Sequence, residues 1–220
     1  MQKASSKTTH KTKHKKLYHV PDIMPKHNAF YNIVKRLFDI IFSFFALCIC
    51  FVPMIIIAVL IVIDSPGKIF YLQERLGKNG KPFMLIKFRS MVANAEEDGA
   101  QWAREDDPRC TRVGRFLRAS RLDELPQFLN ILLGQMSFVG PRPERKCFYD
   151  EFEKTITGFS YRLRVTPGLT GLAQVNGGYD LLPEEKIVYD MEYISTRSLL
   201  LDTKCILKTV FVVFNHNGAR

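Results

Sequence analysis

The sequence predicts an α+β protein that is mostly helical, in which one membrane helix precedes a compact domain. Three observations indicate this fold class. Residues 40–63 contain no charged side chain, two short strand-like runs flank an Asn-Gly pair, and much of the remaining chain has apolar residues at helical spacing between recognisable start and stop residues. With 220 residues, the chain has room for one domain and an anchor.

Charge and cysteine content limit the functions that the chain can have. A formal net charge of +10 indicates an anionic partner: nucleic acid, a membrane surface or a phosphorylated substrate. The five cysteines are an odd number and form no CxxC pair. This pattern argues against a disulfide framework or a zinc site, and it favours a reducing cytosolic environment for the soluble part.

Residues 1–34 are predicted to form a basic, disordered tail. They are rich in Lys, His, Ser and Thr and nearly free of acidic residues, so they have little apolar surface to bury. The tail contains four of the five histidines: His10, His14, His19 and His27. A metal-binding tract and a tail attracted to anionic lipid headgroups are the two interpretations, and the composition favours the second.

Residues 35–66 are predicted to form the membrane helix, with a break at Pro53. Its 24 uncharged positions are long enough to span a bilayer. Pro53 removes a helical hydrogen bond, and the 13 and 10 apolar residues on its two sides reach only about 20 and 15 Å, against a hydrocarbon core of about 30 Å. Because basic residues lie beyond both ends, a single span has no preferred orientation. A re-entrant hairpin and a kinked span therefore both remain open.

The domain predicted over residues 67–215 begins with a β-hairpin. Ile69–Leu72 and Phe83–Phe88 are strand-like runs, and an Asn-Gly pair lies between them. This pair is a strong hairpin signal because both residues tolerate positive φ. Residues 93–107, which follow, are acidic and are predicted to form an exposed helix and a loop.

Basic residues cluster around the end of the hairpin and beyond it. Lys87 and Arg89 alternate along the second strand and so share one face, which makes them candidates for a phosphate pocket. Like charges at a spacing of three repel one another unless an anion lies between them. Five arginines have this spacing: Arg109, Arg112, Arg115, Arg118 and Arg121. A phosphate-binding surface and an ordinary basic surface helix are the two interpretations of this series.

Asp123 and Glu124 follow the arginines at the predicted start of a helix. Asp123 is a favoured N-cap residue, Pro126 fits within the first turn, and Gly134 would end the helix. Backbone amides at a helix N-terminus keep carboxylates ionised. An ionised aspartate is a competent nucleophile toward phosphorus, and a neighbouring glutamate can hold Mg²⁺. The pattern predicts phosphate chemistry with a metal, although an Asp-Glu pair can also be a simple helix cap.

The rest of the chain supplies a rigid loop and further helices. Two prolines stiffen residues 141–144 and hold Arg142, whose guanidinium could clamp a diphosphate in fork geometry. Residues 159–178 are glycine-rich, lack the spacing of a P-loop and predict short extended segments with turns. Helices are predicted over 145–157, 183–197 and 199–214. The last has a very wide apolar face, for which core packing and interfacial membrane contact are both open.

Taken in order, these motifs closely resemble those of the bacterial sugar transferases, the monotopic polyprenyl-phosphate phosphoglycosyl transferases that start glycan assembly. The resemblance runs from about residue 35 to residue 215. It depends on KRLFD (35–39), Pro53, DSPG (64–67), KFRSM (87–91), the stretch 116–144 and RVTPGLTGLAQVNG (164–177). One position departs from the family pattern: the re-entrant helix often has Ser-Pro at its break, and this chain has Val52-Pro53.

The resemblance implies a reaction and a set of site residues. A nucleoside diphosphate sugar, expected to be a UDP-sugar, would give its sugar-1-phosphate to polyprenyl (undecaprenyl) phosphate and release UMP. The catalytic domain would lie on the cytoplasmic face of a bacterial cell membrane. Asp123 would be the nucleophile that carries a phosphosugar intermediate, and Glu124 would hold Mg²⁺. The residues implied to contact substrate are Lys87, Arg89, Arg118, Arg121, Arg142, Arg164 and Gln174.

Two other functions remain as alternatives. A nucleotide-sugar glycosyltransferase would release the nucleoside diphosphate and would usually carry a DxD motif, which this sequence lacks. A non-catalytic basic membrane anchor would explain the net charge but not an Asp-Glu pair among arginines. The expected partners are therefore the nucleotide sugar, the polyprenyl phosphate and membrane lipids, and not nucleic acid. The identity of the sugar and the formation of a homo-oligomer are left open.

Overall fold

The computed structural model describes residues 18–26, 28–97, 99, 107–177 and 181–214 of the chain. It is a mixed helix and strand structure, 55% helical, which agrees with the predicted fold class. The helices are α1 (Ala29–Asp64), α2 (Arg112–Ala119), α3 (Gln127–Leu132), α4 (Lys146–Phe152), α5 (Leu172–Val175), α6 (Pro183–Thr196) and α7 (Leu199–Phe214). The strands are β1 (Tyr18–His19), β2 (Phe70–Leu76), β3 (Pro82–Phe88), β4 (Ser137–Val139), β5 (Ile156–Thr157) and β6 (Gly168–Thr170). Short 3₁₀ turns cover Lys78–Gly80, Leu122–Glu124 and Phe159–Arg164.

α1 is a single helix of 36 residues that continues through Pro53, so the break predicted at this proline does not interrupt it. It begins at Ala29, earlier than predicted, because the Asn28 side chain caps it by accepting a hydrogen bond from the Tyr31 amide at 3.0 Å. α1 is long and apolar enough to cross a membrane, and only 11% of its most apolar window is buried by the rest of the protein. This exposure distinguishes α1 from the core helix of a soluble domain.

The tail predicted to be disordered over residues 1–34 is ordered from residue 18 wherever the structure describes it. Strand β1 pairs in parallel with β5, and Val20 is buried in the C-terminal core. Residues 29–34 belong to α1. Composition does not reveal this strand because its partner lies near the other end of the chain. Residues 1–17 and 27, which include His10, His14 and His27, lie outside the described residues.

The N-terminal part of α1 is attached to the domain by polar contacts. Arg36 donates to the two carbonyl oxygens at the end of α3, at 2.7 and 2.8 Å, where a positive charge is favoured by the helix dipole. Three residues further along, Asp39 accepts hydrogen bonds from Ser137 Oγ at 3.1 Å and from the Phe138 amide at 3.0 Å. These contacts connect α1 to α3 and β4.

The C-terminal part of α1 is attached to the domain mainly by apolar contacts. Ile57 and Ile61 are buried against β3 and α2. The Asp64 carboxylate then accepts a hydrogen bond from the Val113 amide at 2.9 Å, in the first turn of α2. No residue of α1 between Ser43 and Ile57 is buried. The helix is therefore attached to the domain on both sides of an exposed apolar stretch.

β2 and β3 form the predicted antiparallel hairpin, with Phe70 opposite Phe88 and Leu76 opposite Pro82. The connecting turn has Asn79 at φ 58°, a left-handed conformation that asparagine adopts more readily than most residues. β2 is longer than predicted. The acidic segment 93–107 is predicted to form an exposed helix and a loop; residues 93–97 form turns and no helix, and most of the rest lies outside the described residues.

The largest hydrophobic core lies in the C-terminal half of the domain. Ile187 and Ile194 of α6 are fully buried, and Ile156 of β5 and Phe159 pack in the same cluster. The carboxylate of Asp202, on α7, connects this core to α1. It accepts hydrogen bonds from three side chains on α1 and α6, at 3.0, 2.7 and 2.9 Å: Tyr31, Lys35 and Tyr193.

α7 divides its predicted apolar face between the core and an exposed surface. Asp202 and Cys205 are buried, whereas Leu200, Leu207 and Phe211 are exposed. Core packing is therefore confirmed for one side of the helix, and membrane contact of the other side stays a prediction. One side packs on the domain, and the other leaves large apolar side chains uncovered within the described part of the chain.

Candidate active site

Asp123 and Glu124 lie side by side on the Leu122–Glu124 turn between α2 and α3, and not at the N-terminus of α3 as predicted. Arg121 precedes them at φ 57°, a left-handed conformation that costs a non-glycine residue about 1–3 kcal/mol. This residue ends α2 and turns the chain directly into the 3₁₀ turn. α3 then begins at Gln127 with Pro126 as its N-cap, which leaves both carboxylates outside that helix.

Both carboxylates are almost completely buried, with Asp123 8% and Glu124 9% exposed. Lys87 Nζ, from β3, lies 2.9 Å from Glu124 Oε1 and 3.9 Å from Asp123 Oδ2. Arg142 donates from Nη2 to the same Glu124 oxygen at 2.5 Å. Glu124 is therefore held between two cations that come from distant parts of the sequence.

The two neighbouring carboxyl groups have opposite pKa shifts. Burial raises the pKa of Asp123 to about 6, because the charges of Lys87 and Arg142 offset only part of the loss of solvation. Burial acts on Glu124 as well, but Arg142 and Lys87 bind it directly and together lower its pKa well below the usual range. Near neutral pH, Glu124 is a carboxylate, and Asp123 is mostly ionised but becomes protonated as the pH falls through about 6.

Two glycines bring the loop that carries Arg142 into place. β4 and β6 pair in parallel, and their backbones meet at Gly140 and Gly168. A Cβ atom on Gly168 would lie 2.1 Å from the Gly140 amide nitrogen, and one on Gly140 would lie 2.5 Å from the Thr166 carbonyl oxygen. Only glycine fits at this approach, so these residues fix where the loop leaves the domain.

Two further arginines hold the loop after this point. Arg162 donates from Nη2 to the Arg142 carbonyl oxygen at 3.0 Å. Arg75, on β2, donates from Nη1 to the Pro143 carbonyl oxygen and to the Glu144 carboxylate, both at 2.9 Å. The prolines predicted to stiffen the loop thus act together with hydrogen bonds from both sides.

The carboxylates open into a cavity of about 300 Å³, the lower end of the range for small-molecule sites. The hairpin, the segment after β3, the carboxylate turn and the Arg142 loop all contribute to its walls. All but one of the predicted site residues line it: Lys87, Arg89, Arg118, Arg121, Asp123, Glu124, Arg142 and Gln174. Residues spread over 88 positions of the sequence, from Lys87 to Gln174, therefore meet at one surface.

Two predicted site residues have their guanidinium groups engaged in structural contacts. Arg164 does not line the cavity: it pairs with Asp22 at 2.6 Å and donates to the Ile23 carbonyl oxygen at 2.7 Å. It therefore holds the N-terminal segment to the domain. Arg89 borders the cavity, but it donates to the two carbonyl oxygens just after α1, to Pro66 at 2.8 Å and to Ser65. Arg89 thus ties the end of the membrane helix to β3.

The arginine series divides into different roles. Arg118 lies near the end of α2, and it and Arg121 line the cavity, whereas Arg112 and Arg115 on α2 do not. Arg109 precedes the helix and pairs with Asp107 at 2.6 Å. Each of the two interpretations of the series therefore holds for part of it: Arg118 and Arg121 border the cavity, whereas Arg112 and Arg115 belong to a basic helix away from it.

Asp123 is a buried carboxyl group that ionises near pH 6 beside cations in an enclosed cavity. Such a carboxylate is suited to attack a phosphate group. A profile of the family described as bacterial sugar transferase matches residues 30–216, which is most of the chain. The chain belongs to the bacterial sugar transferase family.

Curated relatives of this sugar transferase carry names that specify substrates. The UDP-N-acetylgalactosamine-undecaprenyl-phosphate N-acetylgalactosaminephosphotransferase of Aeromonas hydrophila is 44% identical over 193 residues, which cover 86% of this chain and 46% of that protein. The UDP-glucose:undecaprenyl-phosphate glucose-1-phosphate transferase of Klebsiella pneumoniae is 42% identical over 197 residues, which cover 87% of this chain and 42% of the relative.

A third relative is closer in length. The putative undecaprenyl-phosphate N-acetylgalactosaminyl 1-phosphate transferase of Bacillus subtilis (strain 168) is 49% identical over 135 residues, which cover 61% of this chain and 75% of that protein. The chain thus spans less than half the length of the Aeromonas and Klebsiella relatives and three quarters of the Bacillus one.

The residues of this sugar transferase fit the Mg²⁺ that the family resemblance implies. Within the described residues, no group of three or more His, Cys, Asp or Glu side chains is placed to hold a metal. Mg²⁺ does not need such a group, because it usually binds through one or two carboxylates and substrate phosphates and keeps several waters. Glu124, which stays ionised, and the neighbouring Asp123 offer this donor set.

Sequence reasoning misses Arg162, which lines the cavity and is 2% exposed. It lies two positions from Arg164 in the same basic run, and the run itself does not tell which arginine is directed inward. The distinguishing signal is its spacing of three from Phe159, since residues three apart lie on the same side of a 3₁₀ turn. Other lining residues outside the prediction include Tyr71, Gln73, Phe148 and Lys186.

Proposed function

We propose that this chain transfers a sugar-1-phosphate from a UDP-sugar to a polyprenyl phosphate, giving a polyprenyl-diphosphate-sugar and UMP. The observation that carries the proposal is the pair of buried carboxylates with opposite pKa shifts in a cavity lined by arginines and a lysine. The relatives, which are named as UDP-sugar and undecaprenyl-phosphate transferases, support the same donor and acceptor.

In the first step, a carboxylate oxygen of Asp123 attacks the phosphorus that bears the sugar. A bond forms between Asp123 and phosphorus, the bond from that phosphorus to the bridging oxygen breaks, and UMP leaves with the oxygen. In the second step, a phosphate oxygen of the polyprenyl phosphate attacks the same phosphorus and releases the Asp123 carboxylate. Neither step changes an oxidation state, so the reaction needs no oxidant or reductant.

The cations around Asp123 would stabilise the charge on the phosphates in both steps. Lys87 and Arg142 contact Glu124, and their remaining N–H donors can reach substrate oxygens in the same cavity. Arg118 and Arg121 line the adjoining wall. Mg²⁺, bound with the help of Glu124, would neutralise phosphate oxygens and favour departure of UMP.

The attachment of α1 supports a re-entrant helix. Both ends of its apolar stretch are anchored to the same domain, by Asp39 on one side of Pro53 and by Ile57 and Ile61 on the other. A helix that crossed the membrane completely would carry one of these ends to the opposite face. We therefore assign α1 to a single leaflet, with the cavity at the headgroup level, where the phosphate of a polyprenyl phosphate lies.

The flanks of α1 support a cytoplasmic location for the catalytic domain. Lys35 and Arg36 precede the apolar stretch, and Lys68 and Arg75 follow it. Short basic flanks favour the cytoplasmic side of a membrane. If both ends of α1 lie on the cytoplasmic face, all four basic residues lie there, as this rule requires. A single span would place two of them on the opposite face.

Release of UMP tests the proposed reaction. Purified full-length chain is incubated with Mg²⁺, undecaprenyl phosphate and a panel of UDP-sugars, and we expect UMP together with a lipid-linked diphosphate sugar. Asp123→Asn should reduce the turnover by at least about 1,000-fold, as removal of a nucleophile does. Its thermal unfolding should be little changed, because asparagine has nearly the shape of aspartate and the nearest cation, Lys87, keeps its ion pair with Glu124.

Controls separate this reaction from its alternatives. Asp150→Asn, an exposed aspartate on α4, should retain wild-type turnover. Release of UDP in place of UMP would identify a glycosyltransferase, and no release from any UDP-sugar would overturn the UDP-sugar as the donor. Substantial UMP release by Asp123→Asn would overturn the nucleophile assignment alone.

Tag accessibility tests the topology of α1. With an epitope tag at each terminus of the full chain, both tags should react with antibody in inside-out vesicles, and neither should react in intact spheroplasts. A soluble cytoplasmic marker controls for leakage of the spheroplasts. Reaction of the N-terminal tag from outside would show that α1 spans the bilayer.

A further inference from the structure

Gln174 carries an amide that the protein leaves without hydrogen-bond partners. It lies on α5 and borders the cavity together with Ala173, Arg162 and Lys186. Both of its polar atoms, Oε1 and Nε2, are shielded from solvent, and neither has a hydrogen-bond partner among the described residues. A buried polar group without a partner costs about 1–3 kcal/mol, and such groups are rare in folded proteins.

The same domain satisfies another buried amide completely. Asn130 donates to the Met84 carbonyl oxygen at 2.8 Å and to Gln135 Oε1 at 2.6 Å, and it accepts from the Ile86 amide at 3.0 Å. Asn130 does not line the cavity. Gln127, also away from the cavity, lacks a partner for Nε2 only. Among the described residues, Gln174 is the amide that both lines the cavity and lacks partners for its two polar atoms, so a ligand in the cavity can supply them.

The backbone next to Gln174 makes room for its amide. A Cβ atom on Gly171, the N-cap of α5, would lie 2.8 Å from Gln174 Oε1 and 2.2 Å from the Gly140 carbonyl oxygen. α5 therefore starts directly against the loop that carries Arg142. This contact places the open amide on the Arg142 side of the cavity, in the same wall as the phosphate-binding cations.

A primary amide presents one donor and one acceptor side by side in one plane. Its best partner is a planar group that presents an adjacent acceptor and donor on one edge. The uracil ring does so, because its N3–H lies between two carbonyl groups. The acetamido group of an N-acetyl sugar does not, because a trans amide directs its N–H and its carbonyl oxygen to opposite sides.

We propose that Gln174 recognises the imide edge of the uracil ring in the nucleotide-sugar donor. The proposal rests on the proposed function, in which the donor is a UDP-sugar. It makes Gln174 a specificity-determining residue that binds the leaving nucleotide, apart from the groups that act on the reacting phosphorus. The Gln174 amide can rotate by 180° and pair with cytosine as well, so a cytosine nucleotide does not test the proposal. The diagnostic ligand is a uracil nucleotide whose N3–H is replaced by a methyl group.

The test compares UMP with N3-methyl-UMP as inhibitors of the transfer reaction catalysed by the full-length chain. The wild-type protein should bind UMP at least about tenfold more tightly, since the methyl group removes one hydrogen bond and prevents the close approach. In Gln174→Leu, which has a similar shape, both nucleotides should inhibit equally. The KM for the UDP-sugar should rise, with kcat changed less than threefold.

Two controls keep the test independent of folding. Gln174→Leu removes an unpartnered buried polar group, so its thermal unfolding midpoint should equal or exceed that of the wild type. Asn176→Ala changes an exposed amide at the end of the same short helix and should keep the full preference for UMP.

Each remaining outcome overturns the assignment. The proposal is wrong if the wild type does not distinguish the two nucleotides, or if Gln174→Leu retains the preference. It is also wrong if Gln174→Leu instead changes the preference between UDP-N-acetylgalactosamine and UDP-glucose, because the amide would then face the sugar. Absence of UMP release by the wild type with every UDP-sugar would reject the proposed function itself.

Discussion

At the residue scale, Asp123 and Glu124 are covalent neighbours with nearly equal burial, yet they ionise very differently. The difference comes from the distance between each carboxylate and the neighbouring cations. Glu124 Oε1 is bound by Lys87 and Arg142, while Lys87 is 3.9 Å from Asp123. Desolvation therefore prevails at Asp123, and the ion pairs prevail at Glu124. This separates a carboxylate that can react from one that stays charged.

The pH dependence of the first chemical step follows from the pKa of Asp123. In the proposed reaction the nucleophile is the ionised form of Asp123, whose pKa of about 6 lies above the ordinary value. The rate of UMP release in a single turnover without acceptor should rise about tenfold per pH unit below pH 6 and level off above it. Because Glu124 stays ionised over this range, its titration should add no second inflection to the pH profile.

Lys87→Met sharpens this prediction. Loss of a nearby positive charge disfavours the ionised form of Asp123, so the midpoint of the acid limb should move to higher pH, whatever the maximal rate. Asp150→Asn should leave the midpoint in place. An unchanged midpoint in Lys87→Met would mean that the limb reports a different group.

The raised pKa of Asp123 also sets the sign of its effect on folding. The folded state binds the Asp123 proton more tightly than the unfolded state does, so this group contributes stability at low pH. That contribution is lost as the pH rises from about 4, the unfolded pKa, through the folded pKa of about 6. Ionised Asp123 is therefore kept for chemistry and not for stability.

At the element scale, the site depends on how short elements join. The left-handed Arg121 ends α2 and begins the carboxylate turn, and the Gly140–Gly168 approach aims the next loop at Glu124. Neither α2 nor α3 is long enough to place these side chains by itself. The junctions, more than the helices, determine the geometry of the cavity.

Gly168→Ala tests the importance of this junction. The added Cβ would lie 2.1 Å from the Gly140 amide nitrogen, so the strands must separate. We expect a loss of about 1–3 kcal/mol in the free energy of unfolding, typical of overpacking, and a decrease in UMP release because Arg142 moves with its loop. Denaturant unfolding in detergent micelles and the UMP assay measure the two effects.

Gly80→Asn is the matched control for Gly168→Ala. Gly80 has no atom within 4 Å of a built Cβ and a φ of 73°, which asparagine tolerates better than other residues. It should change neither quantity appreciably. Wild-type stability and activity in Gly168→Ala would contradict the proposed junction.

At the scale of the whole molecule, the chain closes on itself. β1 pairs with β5, Arg164 binds Asp22 and Ile23, and Asp202 of α7 accepts hydrogen bonds from α1. α1 is therefore held between segments from both ends of the described chain. This arrangement fixes α1 relative to the cavity, which the proposed transfer to an acceptor in the membrane requires.

Val20→Ala tests whether the N-terminal segment belongs to the folded domain. Val20 is 1% exposed and packs in the C-terminal core, so its truncation should lower the free energy of unfolding by about 1–2 kcal/mol. Tyr18→Ala, at an exposed position of β1, should lower it by less than half as much. Equal effects of the two substitutions, measured by denaturant unfolding, would show that the segment is only loosely attached.

The sequence by itself determined the features that depend on near neighbours. The uncharged stretch defined α1, the Asn-Gly pair defined the hairpin, and the motifs with Lys87, Asp123 and Arg142 were sufficient for the resemblance that the family match confirms. These features are encoded within a few residues, where spacing and backbone preference act directly.

Only the tertiary structure decided the features that depend on residues distant in the chain. It turned Arg162 toward the cavity and Arg164 toward the N-terminal segment, and it left the Gln174 amide without a partner. It also gave Asp123 and Glu124 different pKa values. Burial and the approach of charges from other elements set these properties, and no local pattern records them because the partners lie tens of residues away.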